Sequence, residues 1–237
     1  MNSNYIYQTI HTQAHHPLHL KEHCRVLERD FFELFRTPLQ LNEVRIHNQI
    51  VSLIRSEGVT RSLSTFVELR VDRLGEQEIL ICGASLYDGY AFRCISPTAQ
   101  VVLVESPFGM LSTSARRSTL ALAGELSLNI GGEVALECDS RNRIHSIGGA
   151  ALFAAGERRL ISSPSVRSVE RGLVIEAAKA LRIPTEEREI WNDELPHFDE
   201  LFCCDHQGIL AISRLDTKPY MSIIAQKIGS ALTQPWM

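Results

Sequence analysis

Between Cys138 and Ile183 the chain turns at an acidic residue, runs through two short strand-forming segments and then opens a helix at Ser168-Val169-Glu170-Arg171. The segments Arg143 to Ser146 and Ala150 to Ala155 are strand-length, and Gly148-Gly149 lies between them as a turn. Val169 to Leu181 continues as a helix. This order of strand, turn, strand and helix constrains the fold more than any other stretch of the sequence.

The residues in this frame are Cys138-Asp139, Ile144-His145-Ser146, Ala151-Leu152-Phe153, Leu160, Pro164 and Ser168-Val169-Glu170-Arg171. Their ordered spacing resembles the class IV aminotransferases, the family of branched-chain aminotransferase, D-amino-acid aminotransferase and 4-amino-4-deoxychorismate lyase. Tyr5 to Leu27 is similar to the family's strand, turn and helix ending in His-x-x-Arg-Leu. Glu194-Leu195 with Asp199-Glu200-Leu201-Phe202 is similar to its Leu...Ala-Asp-Glu-Val-Phe segment. The resemblance covers most of the chain and is densest after residue 130. It implies an α+β, two-lobe fold of the class IV pyridoxal-phosphate-dependent type, with a small N-terminal lobe over 1–97 and a larger lobe over 98–237. It also implies a homodimer with a cleft between the lobes.

The family's chemistry is amino-group transfer or lyase elimination, and it needs a lysine amine to form an imine with pyridoxal phosphate. The lysines here are Lys21, Lys179, Lys218 and Lys227. Counting back from Asp139 by the family's spacing lands near Ser112. Arg116 and Arg117 cannot substitute, because a guanidinium stays protonated. The family's glutamate at the cofactor's ring nitrogen falls on Ser146, and its following asparagine on Ala151. In the phosphate pocket the helix-one arginine falls on Val26 with Arg25 beside it, and the late threonine falls on His206. What the resemblance leaves is a helix N-terminus at Val169-Glu170, whose free amides can hold an anion, although Glu170 partly opposes one.

The expectation is therefore a degenerate member without bound cofactor. It would take a small anionic metabolite or a partner subunit through Arg25, Val169, Glu170, Arg171 and His206. The alternative is an active pyridoxal-phosphate aminotransferase or aminodeoxychorismate lyase in which Lys218 supplies the amine. An error in the frame before residue 130 would also account for the missing lysine.

Bulk properties narrow the classes further. Hydrophobic residues are 44 % and charged residues 22 % of the 237, the balance of a globular chain with a substantial core. The start lacks a leader pattern and no apolar window approaches bilayer length, so a cytoplasmic protein is expected. A net charge of −4 weakens the electrostatic term that nucleic-acid binding needs. The cysteines, Cys24, Cys82, Cys94, Cys138, Cys203 and Cys204, lack zinc-pair spacing. Cys203 and Cys204 are adjacent on a strand and should face opposite sides.

Local patterns give the remaining elements. Strands are expected at Tyr5 to Thr12, Ser64 to Val71, Glu78 to Cys82, Tyr90 to Ile95 and Val101 to Val104, with turns at Arg73-Leu74-Gly75 and Tyr87-Asp88-Gly89. Helices are expected at Leu18 to Phe35, at Asn42 to Ser56 with Asn42 as N-cap, and from Thr113 or Ser114 to Leu128. Later come strands at Val134 to Cys138, near Glu186 to Ile190, at Phe202 and at Ile209 to Ile212. A turn capped by Asn192 and a last helix from Pro219 to Leu232 complete the chain.

Other chemistry is weaker. His19 and His23 sit four apart as helical metal pairs do, but His23 occupies the family's helix histidine and no metal is expected. No Gly-x-Ser-x-Gly elbow, P-loop or Gly-x-Gly-x-x-Gly follows a strand, which leaves serine hydrolase and nucleotide readings without a motif. Asp88, Asp139, Asp199 and Glu200 are possible acids or bases, with solvated turns and strand ends as their ordinary homes.

Overall fold

The computed structural model describes residues 4–59, 64–85, 89–93, 95–105, 108 and 111–233. It divides into two compact units. The first comprises Met1–Tyr90 and Leu111–Arg117, the second Ala91–Met110 and Ser118–Met237. The expected Tyr87-Asp88 turn, Asp88 as an acid or base, and Cys94 lie outside the described residues.

In the first unit, β1 (Tyr5–Gln13), β2 (His16–Pro17), β3 (Ser64–Asp72) and β4 (Gln77–Ser85) form an antiparallel sheet in the order β2-β1-β3-β4. Helices α1 (Leu20–Phe35) and α2 (Glu43–Ser56) cover it. Apolar residues three and four apart make this possible: Leu20, Cys24, Leu27 and Phe31 of α1 and Ile46, Ile50 and Ile54 of α2 bury against Ile6, Ile10, Val67, Leu69 and Val71. Asn42 caps α2 as expected, its side chain accepting from the Arg45 amide at 2.9 Å. The turn at Arg73-Leu74-Gly75 is held by Asp72, whose Oδ1 accepts from the amides of Leu74 and Glu76. Gly75 there has φ +84, a conformation glycine adopts without strain.

The second unit is built on a larger mixed sheet. Its strands are β5 (Thr98–Leu103), β6 (Val134–Cys138), β7 (Arg143–Ile147), β8 (Ala150–Gly156), β9 (Arg159–Ser162), β10 (Thr185–Glu187), β11 (Ile190–Trp191), β12 (Glu200–Asp205), β13 (Gly208–Ala211), β14 (Arg214–Leu215) and β15 (Lys218–Pro219). The main path runs β10-β9-β8-β7-β6-β5-β14-β15, and β12 pairs with both β8 and β13. Helix α3 (Ser114–Asn129) begins in the first unit and continues in the second. Helices α4 (Val169–Ala180) and α5 (Ile223–Leu232) pack on one face of the sheet through Val174, Ala177, Ala178, Ala225 and Ile228, which meet Phe153 and Phe202. Strand alternation sends Leu152, Ala154, Leu201 and Cys203 to the opposite core. Cys203 and Cys204 thus face opposite sides, both buried.

Four local expectations are corrected. Among the described residues of Tyr90 to Ile95 the ladder is reduced to an isolated bridge, Phe92 with Ile209, in place of the expected strand. Strand β9 is not among the expected strands, since the two turn positions of its hairpin are Glu157 and Arg158 at φ 50 and 64, where glycine or asparagine is the usual signal. The short 3-10 helix Asn192–His197 has its N-cap position one residue earlier than expected, at Trp191, whose amide donates to Glu194 Oε2 at 3.0 Å. Pro219 belongs to β15, and the last helix starts after Ser222. Its first amides are taken by Glu200, which accepts from Ile224 at 2.8 Å and Ala225 at 3.1 Å. A cap supplied by a distant strand leaves no local signature.

Candidate functional site

The polar residues of the second unit converge around the β6–β7 hairpin and the loop into α4. Asp139 closes the hairpin turn, accepting from the amides of Arg141 (2.9 Å) and Arg143 (3.0 Å) and from the Arg143 guanidinium at 2.9 and 2.7 Å. Burial alone would raise its pKa. The bonds from Arg143, His145 and Arg141 outweigh burial and hold the carboxyl well below the usual carboxylate range. Asn142 takes φ 68 to complete the turn.

A β-bulge follows. Leu136 pairs with Ile147, Glu137 with Ser146 and Cys138 with Ile144, so His145 is the extra residue opposite no partner. Ile144 stays in the core. The His145 ring lies between two partners, with Nε2 at 3.0 Å from Asp139 Oδ2 and Nδ1 at 2.9 Å from Ser165 Oγ. Ser163 Oγ in turn donates to Ser165 Oγ at 3.2 Å.

The next rung carries Glu137, Ser146 and Ala151 side by side on three adjacent strands. Glu137 is 2 % exposed. The Ser146 hydroxyl donates to its carboxylate, and the Gly149 amide donates at 3.1 Å. Gly148 and Gly149, at φ 55 and 83, make the two-residue turn that aims this amide inward. Glu137 is not among the site residues expected from the sequence. Its signal was a lone acid inside the apolar run Val-Ala-Leu-Glu-Cys.

At the start of α4, Ser168 is the N-cap and accepts from the Arg171 amide at 3.1 Å. Glu170, 5 % exposed, is in the first turn. Burial pushes its carboxyl up to about 7, against hydrogen bonds from its own amide and from Ser168, while nearby Asp205 adds to the rise. Arg171 donates through Nε to the Ser163 carbonyl at 2.9 Å and pairs with Glu187. Val169 is buried beside Glu170. His206 is in the β12–β13 turn, its ring 3.5 Å from the Gln207 amide nitrogen. Four of the five expected binding residues therefore belong to the second unit. Arg25 is exposed on α1 in the first.

The lysines are scattered. Lys21 and Lys227 are exposed on α1 and α5, and Lys179 pairs with Glu176 at 2.6 Å on the outer face of α4. Lys218, half-buried on β15, has Nζ 5.7 Å from the Tyr220 ring. Ser112 is half-buried, and its carbonyl accepts from the Tyr7 amide at 2.9 Å. Thr113 Oγ1 caps α3 by accepting from the Arg116 amide. In the same unit Arg117 lies 3.9 Å over Tyr7 and Arg70 lies 4.6 Å over Tyr5, both paired with buried Glu68. His23 is buried with Nδ1 3.1 Å from Gln8 Oε1. Among the described residues no group of three or more His, Cys, Asp or Glu is placed to hold a metal ion.

No family model matches the sequence, and no curated protein matches it. Solved structures are similar. A fold IV transaminase from Curtobacterium pusillum superposes with a TM-score of 0.82 at 16% identity, covering 98% of this chain and 84% of that one. The chain has the class IV aminotransferase fold. A candidate 4-amino-4-deoxychorismate lyase from Legionella pneumophila gives a TM-score of 0.78 at 14% identity over 94% of this chain and 88% of its own. The branched-chain amino acid aminotransferase from Escherichia coli gives 0.77 at 16% identity, over 95% and 82%. At such identities the class IV likeness speaks for architecture, and function rests on the residues of this chain. Among the described residues no helix is long and apolar enough to cross a membrane.

Proposed function

We propose that this protein is a class IV scaffold that holds no pyridoxal phosphate as an imine and instead binds a small anionic metabolite at the start of α4. The observation that carries this reading is Glu170, a buried carboxyl in the helix's first turn. It takes its own amide, so an ionised Glu170 occupies the place of a ligand's negative charge. Burial pushes its carboxyl up to about 7, so it discharges near neutrality, and the Val169 and Glu170 amides then donate to an external anion. Arg171, anchored on the Ser163 carbonyl, and His206 are the side chains assigned to that anion.

The residues do not fit pyridoxal phosphate. Ser112, at the position the resemblance gives to the lysine, has no amine, and Lys21, Lys179 and Lys227 are exposed on helices. Purified protein should stay colourless on addition of pyridoxal phosphate, and sulfate should raise its melting temperature. A visible band that disappears on borohydride reduction and maps to a lysine peptide would overturn the reading.

A second reading keeps the cofactor and uses Lys218, which is half-buried where the other three lysines are exposed. Lys218→Ala would then abolish the band and any transaminase or lyase turnover. In either case a homodimer is proposed, in line with the exposure of Leu122, Leu126, Leu128 and Ile130 on and after α3. Light scattering tests it.

A further inference from the structure

We propose that Ser165 is a nucleophile activated by His145, with Asp139 as the residue that positions the ring, and that this relay cleaves small carboxylic esters. It is independent of the anion reading above. The sequence carries no Gly-x-Ser-x-Gly elbow, yet a serine relay is defined by geometry and roles, and these three residues satisfy the contacts.

The directions of the hydrogen bonds are fixed by chemistry. Asp139 is ionised and can only accept, so His145 Nε2 carries the hydrogen that reaches Oδ2 at 3.0 Å. In the neutral ring Nδ1 then has the lone pair, 2.9 Å from Ser165 Oγ. Ser163 fills one acceptor site of Ser165 Oγ, which leaves the Ser165 hydroxyl hydrogen to point at Nδ1. The ring is thus used with its nitrogens in the opposite sense to the familiar serine proteases, with Nδ1 as the base. His145 has a side chain 11 % exposed, Ser165 is partly exposed, and the bulge has no competing cross-strand partner for His145. Arg143 grips Asp139 from behind, and Glu189 pairs with Arg143. Glu105, bonded to the Ser140 amide, also acts electrostatically on this neighbourhood.

In the reaction, Ser165 Oγ forms a bond to the ester carbonyl carbon as its proton passes to Nδ1. The carbonyl electron pair moves to oxygen and returns as the bond to the leaving alkoxide breaks, and that alkoxide takes the proton from Nδ1. Water, deprotonated by Nδ1, then attacks the acyl carbon, and Ser165 regains its proton as the acid departs. No oxidant or cofactor is required.

The test is an alkyl fluorophosphonate probe on the full chain, read by intact mass and peptide mapping. One adduct on Ser165 is expected, absent in Ser165→Ala, with 4-nitrophenyl acetate hydrolysis lost in parallel. His145→Gln should slow labelling roughly 100-fold or more. Asp139→Asn keeps an oxygen for the turn amides, so it should lower kcat for 4-nitrophenyl acetate with KM little changed, a split that loss of turn stability would not produce. Circular dichroism checks that each variant is folded. Absence of an adduct on folded wild-type protein overturns the proposal, as does labelling at another serine or an equal rate in folded His145→Gln.

Discussion

Replacing Glu170 with glutamine should make the protein more stable at alkaline pH and change it little in acid. The folded carboxyl titrates at about 7 against an ordinary value of 4.5, because burial disfavours its charged form. Between those values the folded chain binds the proton that the unfolded chain has released. The stability contribution of the neutral carboxyl is therefore fully present below about pH 4.5 and is lost as pH rises through about 7. At about 1.4 kcal/mol per pKa unit the penalty reaches roughly 3 kcal/mol at pH 8, and it is under about 1 kcal/mol at pH 5. Glutamine keeps a carbonyl for the helix amide and has no charge to desolvate. For a chain of this size roughly 2–4 °C accompanies each kcal/mol, so the variant should melt roughly 6–12 °C higher at pH 8. Urea unfolding of both proteins at pH 5 and pH 8 measures the difference directly. An equal gap at the two pH values, or a less stable variant at pH 8, would refute the argument that burial governs this group.

Three other outcomes can be measured on the same protein. Sulfate, which keeps its charge across this range, should bind more tightly at pH 6 than at pH 8, and Glu170→Gln should flatten the dependence; calorimetric titration reads both. Ser146→Ala removes one donor from the buried Glu137 carboxylate and should cost about 1–3 kcal/mol in denaturant unfolding. Cys203 and Cys204 are buried, with thiols that desolvation pushes up, so they should resist a thiol reagent until the protein unfolds.

Elements whose signals are local were legible in the sequence. The amphipathic spacing of α1, the Asn42 cap of α2, the β-forming run of β3 and the glycine pair at 148–149 all act within a few residues, and the structure contains each element, with β3 buried along nearly its whole length. What escaped depends on distant partners or on residues that violate local preference. Strand β9 turns through left-handed Glu157 and Arg158, and α5 is capped by Glu200 from β12. The polar site divided in the same way. Asp139 and Arg171 stood at recognisable positions in the frame. The contact between His145 and Ser165 joins a bulge to a loop twenty residues on, and no spacing rule encodes it.

The rung holding Glu137, Ser146 and Ala151 bears on how the fold and its chemistry separate. Strand pairing sets these three positions next to one another whatever side chains they carry. At the two positions that the resemblance assigns to polar family residues, the chain has a short hydroxyl and a methyl. The buried acid stands one strand away, on Glu137, and the Ser146 hydroxyl and the Gly149 amide both donate to it. A buried carboxylate missing these donors would be strongly destabilising, so the three residues function as a unit. Glu170 is a second buried acid, in the first turn of α4. Both carboxyls lie in the unit whose strand order and helix placement follow the class IV pattern, and each bonds to backbone amides of that frame. The architecture rests on the apolar residues that β6, β7 and β8 bury, those of β8 divided between two core clusters on opposite faces of the sheet.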